Sequence, residues 1–244
     1  MLGVVAHQMG KNDVAVDLIA RALGLQPDLA EAHSNLGVVL KELGKLDDAL
    51  ASYRKAIDLK PDYAEAHSNL GVALQALGRL DDAVISFNRA LGLKPNYADA
   101  HNSLGVTLEL SGKAEEAISS YQRALALTPD FAEAHSNLGN ALQNLGRVDE
   151  AATSYRTALD LKPNFAEAHN NLGVTLRDLG KLDEAVASYR KGIDLKPDYA
   201  EAHNNLGVAH QQLGNFEEAV ASCRKALNLK PNIAEAHSNL GLAL

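Results

Sequence analysis

The chain has 244 residues, a formal net charge of -8 and a hydrophobic content of 46%. An acidic chain without a basic stretch is a poor candidate for binding DNA or RNA, and without a run of about 18 apolar residues it is not expected to cross a membrane. The single cysteine, Cys223, excludes an intrachain disulfide and favours a reducing, cytoplasmic location.

A period of 34 residues organises the whole chain. All seven prolines fall at this spacing, and so do close copies of the stretch Glu31–Gly37. Fixed periods of this length are typical of stacked helical repeats, so the sequence predicts one all-α solenoid over residues 1–244. The expected full repeats, followed by the two partial ones, are 30–63, 64–97, 98–131, 132–165, 166–199 and 200–233, with 1–29 and 234–244.

Each repeat is predicted to contain two helices. In the first full repeat, apolar residues recur at helical spacing, and the pattern is broken at Gly44 and again at Pro61. Asp28 and Glu31 stand three residues apart before the first helix, which predicts a capping box. Gly44 is expected to end that helix in the left-handed conformation.

A glycine also recurs inside the first helix, at Gly37 and its equivalents. Glycine in a helix interior costs about 1 kcal/mol relative to alanine, so its recurrence predicts a close approach of the second helix. Ala49 and Ala56 are the small residues expected to face it.

The pattern of these residues resembles that of the tetratricopeptide repeat (TPR) family. The residues that carry the resemblance in the first full repeat are Leu36, Gly37, Gly44, Ala49, Tyr53, Ala56 and Pro61. It implies a right-handed superhelix of helix-turn-helix units whose first helices line a concave groove for peptides or proteins. Within the family, His33 together with Asn35 is similar to the repeat arm of O-linked N-acetylglucosamine transferases and their bacterial relatives.

A helix turns about 100° per residue, so the faces of each predicted helix can be sorted from the sequence. The second helix has a broad charged face, which favours the outer layer of the stack. In the first helix only a narrow strip around Asn35 remains for the groove. Repetition turns this position into a ladder of Asn35, Asn69, Ser103, Asn137, Asn171, Asn205 and Asn239. Asn140 adds a further polar residue beside the ladder, at a position where other repeats have Val or Leu.

Asparagine has one carbonyl acceptor and two N–H donors, so it can pair with the backbone amide of an extended peptide. The ladder is therefore predicted to bind peptide backbone. Specificity is expected from the variable positions beside it, which are Lys41/Glu42, Gln75/Ala76, Glu109/Leu110, Gln143/Asn144, Arg177/Asp178 and Gln211/Gln212. The alternative is that the asparagines cap helices or tie neighbouring helices together.

Several other patterns are interpreted as structural. The seven histidines at the period of His33 are expected to pack with a ring nitrogen bonded to backbone and not to bind a metal, because neighbouring copies are too far apart. His210 and Cys223 are expected to be buried. Paired acids such as Asp81 and Asp82 favour a helix N-terminus over acid-base catalysis.

The sequence thus predicts a non-enzymatic scaffold, without cofactor, that binds an extended peptide or partner protein. One alternative is the substrate-recognition arm of a glycosyltransferase whose catalytic part lies beyond Leu244. A further expectation is end-to-end self-association, because the repeat pattern starts and stops within a first helix.

Overall fold

The computed structural model describes residues 2–243, and every regular element in this range is an α-helix. The chain divides into two compact units, Met1–Thr128 and Pro129–Leu244. The helices of the first unit are α1 (Leu2–Gln8), α2 (Asn12–Leu25), α3 (Ala30–Glu42), α4 (Leu46–Leu59), α5 (Ala64–Ala76), α6 (Leu80–Leu93), α7 (Ala98–Leu110) and α8 (Ala114–Leu127).

The second unit continues the same alternation of a 13-residue and a 14-residue helix. Its helices are α9 (Ala132–Asn144), α10 (Val148–Leu161), α11 (Ala166–Asp178), α12 (Leu182–Leu195), α13 (Ala200–Gln212), α14 (Phe216–Leu229) and α15 (Ala234–Ala243). The all-α solenoid of helix pairs predicted from the period is confirmed.

Within each unit the two helices of a pair pack against each other, and consecutive first helices also touch. In the first unit α3 contacts α5 and α5 contacts α7; in the second, α9, α11, α13 and α15 form the corresponding series. The first helices therefore form a continuous inner layer from α3 to α7 in the first unit and from α9 to α15 in the second. None of the helices between Leu2 and Ala243 has the length and apolar character that a membrane span requires.

The turn inside each repeat is built on a left-handed glycine, as predicted. Gly44 has φ 73°, and this conformation lets the Lys45 N–H donate to the Leu40 carbonyl at 2.9 Å, which closes the end of α3. The second helix then starts at Leu46.

The recurrent glycine inside the first helix does make close contact with the second helix, but the partner is an aromatic ring and not the predicted alanines. A Cβ at Gly37 would lie 2.6 Å from the ring of Tyr53, which is completely buried. Ala49 and Ala56 are also completely buried. A tyrosine ring is thus held against the bare backbone of α3.

The predicted capping box is wrong. Leu29, not Asp28, is the N-cap residue of α3, and it makes no side-chain capping hydrogen bond. The Glu31 carboxylate instead accepts a hydrogen bond from Lys60 Nζ at 3.2 Å. The start of the first helix is therefore tied by an ion pair to the end of the second.

Candidate functional site

The predicted ladder residues all occupy the same position on the first helices. Each is half-buried, neither fully exposed nor sealed in the core. In the first unit they are Asn35 on α3, Asn69 on α5 and Ser103 on α7; in the second they are Asn137, Asn171, Asn205 and Asn239 on α9, α11, α13 and α15.

In the second unit, ladder residues bond to the preceding first helix. Asn205 Nδ2 donates to Asn170 Oδ1 at 3.0 Å, and Asn239 Nδ2 donates to Asn204 Oδ1 at 3.0 Å. These contacts are of the kind that the alternative interpretation required, because they tie neighbouring helices together. Asn205 and Asn239 each use one N–H in this way.

Asn171 makes an analogous bond to a different acceptor. Its Nδ2 donates to Asn140 Oδ1 at 3.0 Å, and the Tyr155 hydroxyl donates to the same oxygen at 2.7 Å. Asn140 therefore links two first helices and one second helix. Its carbonyl is already occupied by the fold, which leaves its N–H groups for other partners.

The first unit differs at the equivalent positions. Neither Asn35 nor Asn69 has a side-chain hydrogen bond within residues 2–243. The residue that would serve as acceptor for Asn69, by the 35-residue spacing of the Asn205–Asn170 bond, is Ser34, whose side chain is shorter and buried. Asn35 also lines a largely apolar cavity of about 350 Å³ together with Leu29 and Ala32.

Several of the variable neighbours that were expected to read a ligand make contacts inside the fold. Glu109 Oε2 accepts from the Tyr121 hydroxyl at 3.0 Å, and Gln143 Oε1 lies 3.1 Å from Thr175 Oγ1. Gln75 Oε1 likewise lies 2.8 Å from Thr107 Oγ1. These side chains are therefore partly committed to packing the stack.

The recurrent histidines bond to backbone, as predicted, although most are half-buried where burial was expected. His33 Nε2 lies 2.8 Å from the Pro27 carbonyl oxygen, and the other six histidines repeat this contact at 2.9–3.1 Å. Each histidine therefore fastens a proline turn to the following helix. Within residues 2–243 no cluster of three or more His, Cys, Asp or Glu side chains converges on a metal-sized site.

The remaining predicted core residues lie where the sequence placed them. His210 is buried, and its Nδ1 lies 3.4 Å from Asn215 Nδ2. Burial lowers the pKa of His210 and raises the pKa of the Cys223 thiol, which is also buried. Both side chains therefore favour their neutral forms.

Acids near the ladder are paired with lysines. The Glu65 carboxylate accepts from Lys94 Nζ at 2.7 Å, and this hydrogen bond is the main cause that lowers the pKa of Glu65. Lys94 Nζ also lies 4.5 Å from the centroid of the Tyr97 ring. The lysine thus joins an acid of the first helix to an aromatic residue of the next turn, and it offsets the acidic charge there.

Sequence reasoning missed two features of this surface. The acceptors Asn170 and Asn204 were not predicted, although asparagine next to a ladder asparagine is visible in the sequence as Asn-Asn in place of Ser-Asn. The second is the turn before α15, where Ile233 replaces the aromatic residue found at Tyr63, Tyr97, Phe131, Phe165 and Tyr199.

Comparison with protein families gives matches over more than half of the chain. A model described as TPR repeat matches residues 39–78, 110–146, 144–176 and 175–214. A model described as Tetratricopeptide repeat matches residues 64–97 and 200–233. No curated protein sequence matches significantly.

Many solved structures resemble the fold. A chain of the APC/C hetero-tetramer Cut9-Hcn1 superposes with a TM-score of 0.84 at 20% identity; the match covers 99% of this chain and 48% of that one, so this chain spans about half its length. YrrB, described as a TPR protein with an unusual peptide-binding site, has a TM-score of 0.61 and 28% identity, with coverage of 75% and 95%. MamA matches with a TM-score of 0.61 and 28% identity, over 68% of this chain and 98% of MamA.

Proposed function

The chain belongs to the tetratricopeptide repeat family, and from that premise we propose that it is a non-catalytic scaffold that binds an extended peptide or an extended segment of a partner protein. The ladder asparagines supply the contacts to peptide backbone. The solved TPR protein YrrB, whose structure is described as having a peptide-binding site, supports this class of ligand.

The observation that carries the proposal is the state of Asn35 and Asn69. Both side chains are half-buried on the inner layer and have no hydrogen-bond partner within residues 2–243. Asparagine is a poor helix former, so its presence in mid-helix without a partner in the fold has no stabilising reason there. A peptide amide would satisfy both its carbonyl and its N–H group.

The spacing of the ladder also suits an extended chain. Packed helices lie about 8–10 Å apart and an extended peptide advances about 3.3 Å per residue, so one ladder residue meets roughly every third peptide residue. Contacts of this kind recognise the backbone and not the side chains. The scaffold is therefore expected to accept more than one peptide sequence.

The two units contribute differently under this proposal. Asn35 and Asn69 offer all their hydrogen-bonding groups, whereas Asn205 and Asn239 spend one N–H on neighbouring helices and keep their carbonyls. Removing Asn69 is thus expected to weaken binding, while removing Asn205 is expected to weaken the stack as well.

The test uses peptides selected from a random displayed library, with affinity measured by fluorescence anisotropy. Asn69→Ala is expected to lower affinity about fivefold to thirtyfold, the loss of one or two net hydrogen bonds, without lowering the melting temperature. Ser34→Asn is the matched gain-of-bond variant, because it supplies Asn69 with the acceptor that Asn170 gives Asn205. It should weaken peptide binding and raise the melting temperature.

Unchanged affinity in Asn69→Ala together with a lower melting temperature would show that the ladder is only structural. Asn205→Ala serves as the control, since it leaves Asn170 Oδ1 without its donor. This variant is expected to melt earlier than Asn69→Ala.

A second candidate uses the same groove. The recurring His33 and Asn35 resemble the repeat arm of O-linked N-acetylglucosamine transferases, which would make the bound peptide a substrate for glycosylation. Sequencing the parent gene past Leu244 tests this idea: a long α/β region supports it, and an early stop codon excludes it.

A further inference from the structure

An aromatic residue precedes most first helices, and its ring fills a defined space. Tyr199, the N-cap residue of α13, is the best example in the second unit. Lys196 Nζ lies 4.9 Å from the centroid of the ring. Burial, together with smaller contributions from Glu201 and Glu167, raises the pKa of Tyr199 to about 12, while a hydrogen bond with the Asn170 side chain acts in the opposite direction.

Lys196 thus lies over the Tyr199 ring, Asn170 bonds to its hydroxyl, and the charges of Glu201 and Glu167 act on it. Phe165 lies in a similar arrangement, with Lys162 Nζ 4.7 Å from its centroid. Both lysines also hold an acid of the first helix: Lys196 Nζ lies 3.4 Å from Glu167 Oε1. The ring, the lysine and the acid form one repeating cluster.

The turn before α15 keeps the surroundings of this cluster but not its ring. Position 233 is isoleucine, and a cavity of about 360 Å³ is present there. Its lining residues are Glu201, Asn204, Asn205, Lys230, Ile233 and Glu235. Each lining residue stands 34 residues after its equivalent in the preceding repeat; in the same order, these equivalents are Glu167, Asn170, Asn171, Lys196, Tyr199 and Glu201. The equivalents include Tyr199 itself and all four residues described above as acting on its ring.

Lys230 is also released from its usual partner. Within residues 2–243 it forms no ion pair, whereas Lys196 pairs with Glu167 at the equivalent position. The cavity is thus lined by a lysine without an ion-pair partner in the described chain, at the sequence position equivalent to Lys196. It is large enough to hold a small organic group, and polar groups converge on it.

We propose that this cavity, formed by α13, the turn before α15 and the start of α15, binds a tyrosine side chain of a partner peptide. The ring takes the place that Tyr199 occupies in the preceding repeat and lies over Lys230. The hydroxyl donates to Glu201 or Glu235, or exchanges a hydrogen bond with Asn204. Two carboxylates against one lysine disfavour phosphotyrosine, because they repel its negative charge.

The inference rests on the proposed function and gives it a sequence-specific subsite. Asn205, a ladder residue, lines the same cavity. A peptide whose backbone meets Asn205 therefore has a side-chain position within reach of the cavity. The tyrosine in the cavity would then fix which peptide residue meets each asparagine of the ladder.

The first experiment tests the cavity without any peptide. N-acetyl-tyrosinamide is titrated into isotope-labelled protein, and the side-chain amide signals of Asn204 and Asn205 are followed by NMR; N-acetyl-leucinamide is the control probe. We expect saturable shifts in the millimolar range with the tyrosine probe only. Absence of saturable shifts, or equal shifts with the leucine probe, would overturn the inference.

Two variants exchange the occupant between repeats. Ile233→Tyr fills the cavity with the chain's own ring and should weaken probe binding at least about tenfold, since the site is no longer open. Tyr199→Ile should create a second set of shifts at Asn170 and Asn171. If Ile233→Tyr folds but binds the tyrosine probe as tightly as the unmodified chain does, the cavity is not the binding site. Lys230→Met is a second check on the same site, and it is expected to bind the tyrosine probe severalfold more weakly than the unmodified chain.

The second experiment separates this inference from the proposed function. A random displayed peptide library is selected on the unmodified chain and on Ile233→Tyr. Tyrosine enriched at one peptide position on the unmodified chain alone supports the subsite. Equal tyrosine content in the peptides selected on the two proteins overturns the subsite but leaves the proposal of peptide binding by the ladder intact. Binding of the tyrosine probe by NMR without any enriched peptide supports the cavity and counts against the ladder.

Discussion

Tyr189 and Tyr155 occupy equivalent positions in successive repeats, yet replacing them by phenylalanine is predicted to change stability in opposite directions. Both rings are completely buried. The Tyr189 hydroxyl has no hydrogen-bond partner among the described residues, whereas the Tyr155 hydroxyl donates to Asn140 Oδ1 at 2.7 Å. The same chemical change therefore removes an unsatisfied group in one case and a made bond in the other.

The magnitude follows from these contacts. A buried polar group without a partner costs about 1–3 kcal/mol, so Tyr189→Phe is expected to raise the free energy of unfolding by about 1 kcal/mol. A net hydrogen bond contributes about 1 kcal/mol, so Tyr155→Phe is expected to lower it by a similar amount. Phe87 stands at this position in another repeat and is also completely buried, which shows that the site accepts phenylalanine.

A second pair in the first unit repeats the comparison. The Tyr53 hydroxyl is buried without a partner in the described chain, and the Tyr121 hydroxyl donates to Glu109 Oε2 at 3.0 Å. Because that acceptor is charged, Tyr121→Phe is expected to cost about 1.5–3 kcal/mol, while Tyr53→Phe should stabilise.

The assay is urea unfolding followed by circular dichroism, supported by thermal melting. A change of 1 kcal/mol shifts the melting temperature by about 2–4 °C for a chain of this length. The two variants of each pair should fall on opposite sides of the unmodified protein. If Tyr189→Phe loses as much stability as Tyr155→Phe, the hydroxyl of Tyr189 has a partner and the reasoning is refuted.

Three further predictions concern packing, pH and thiol reactivity. Gly105→Ala is expected to lower the free energy of unfolding by about 1 kcal/mol, because the new Cβ would lie 2.5 Å from the Tyr121 ring and this overpacking outweighs the gain in helix propensity. The control is Gly92→Ala, where a Cβ would have nothing within 4 Å. In the same urea assay it should raise the free energy of unfolding by up to about 1 kcal/mol. Burial raises the pKa of Tyr199 to about 12, so between pH 10 and 12 the unfolded chain loses a proton that the folded chain keeps, and stability falls as pH rises. The urea midpoint of the unmodified protein should therefore decline above about pH 10, and that of Tyr199→Phe should decline less steeply. A midpoint that does not change with pH in either protein would contradict this prediction. Cys223 is 1% exposed with a raised thiol pKa, so it should react with a disulfide reagent only in urea, and immediate reaction in buffer would be inconsistent with its burial.

The positions of the helices were predictable because they depend on local patterns. The repeat period, the breaks at Gly44 and Pro61 and the apolar spacing together define where helices run, and the structure follows them closely. The capping box failed because Glu31 has a competing partner, Lys60, which lies 29 residues away in sequence. A pattern of four residues cannot reveal a contact that only folding creates.

The ladder shows the same limit. Angular sorting placed Asn35 and Asn205 on one strip, and the structure finds both half-buried. It could not show that Asn205 donates to Asn170, because that bond depends on the distance between two packed helices. It also did not show that Gly37 accommodates the Tyr53 ring, which requires the path of α4 relative to α3.

In a repeat protein, a departure from the period can be judged against the other copies of the same environment. Ile233 departs from the aromatic consensus while its neighbours Lys230 and Glu201 match their equivalents. Had the cluster been lost as a whole, the change would indicate relaxed packing at this turn. The ring and, among the described residues, the lysine–acid ion pair are missing, but the lysine, the acids and the asparagine that surround Tyr199 are all kept in sequence, so the side chains that could hold a ring are still present. The simplest way to fill the site is therefore a tyrosine side chain of a partner peptide, and the variant Ile233→Tyr tests this by filling it with a ring of the chain itself.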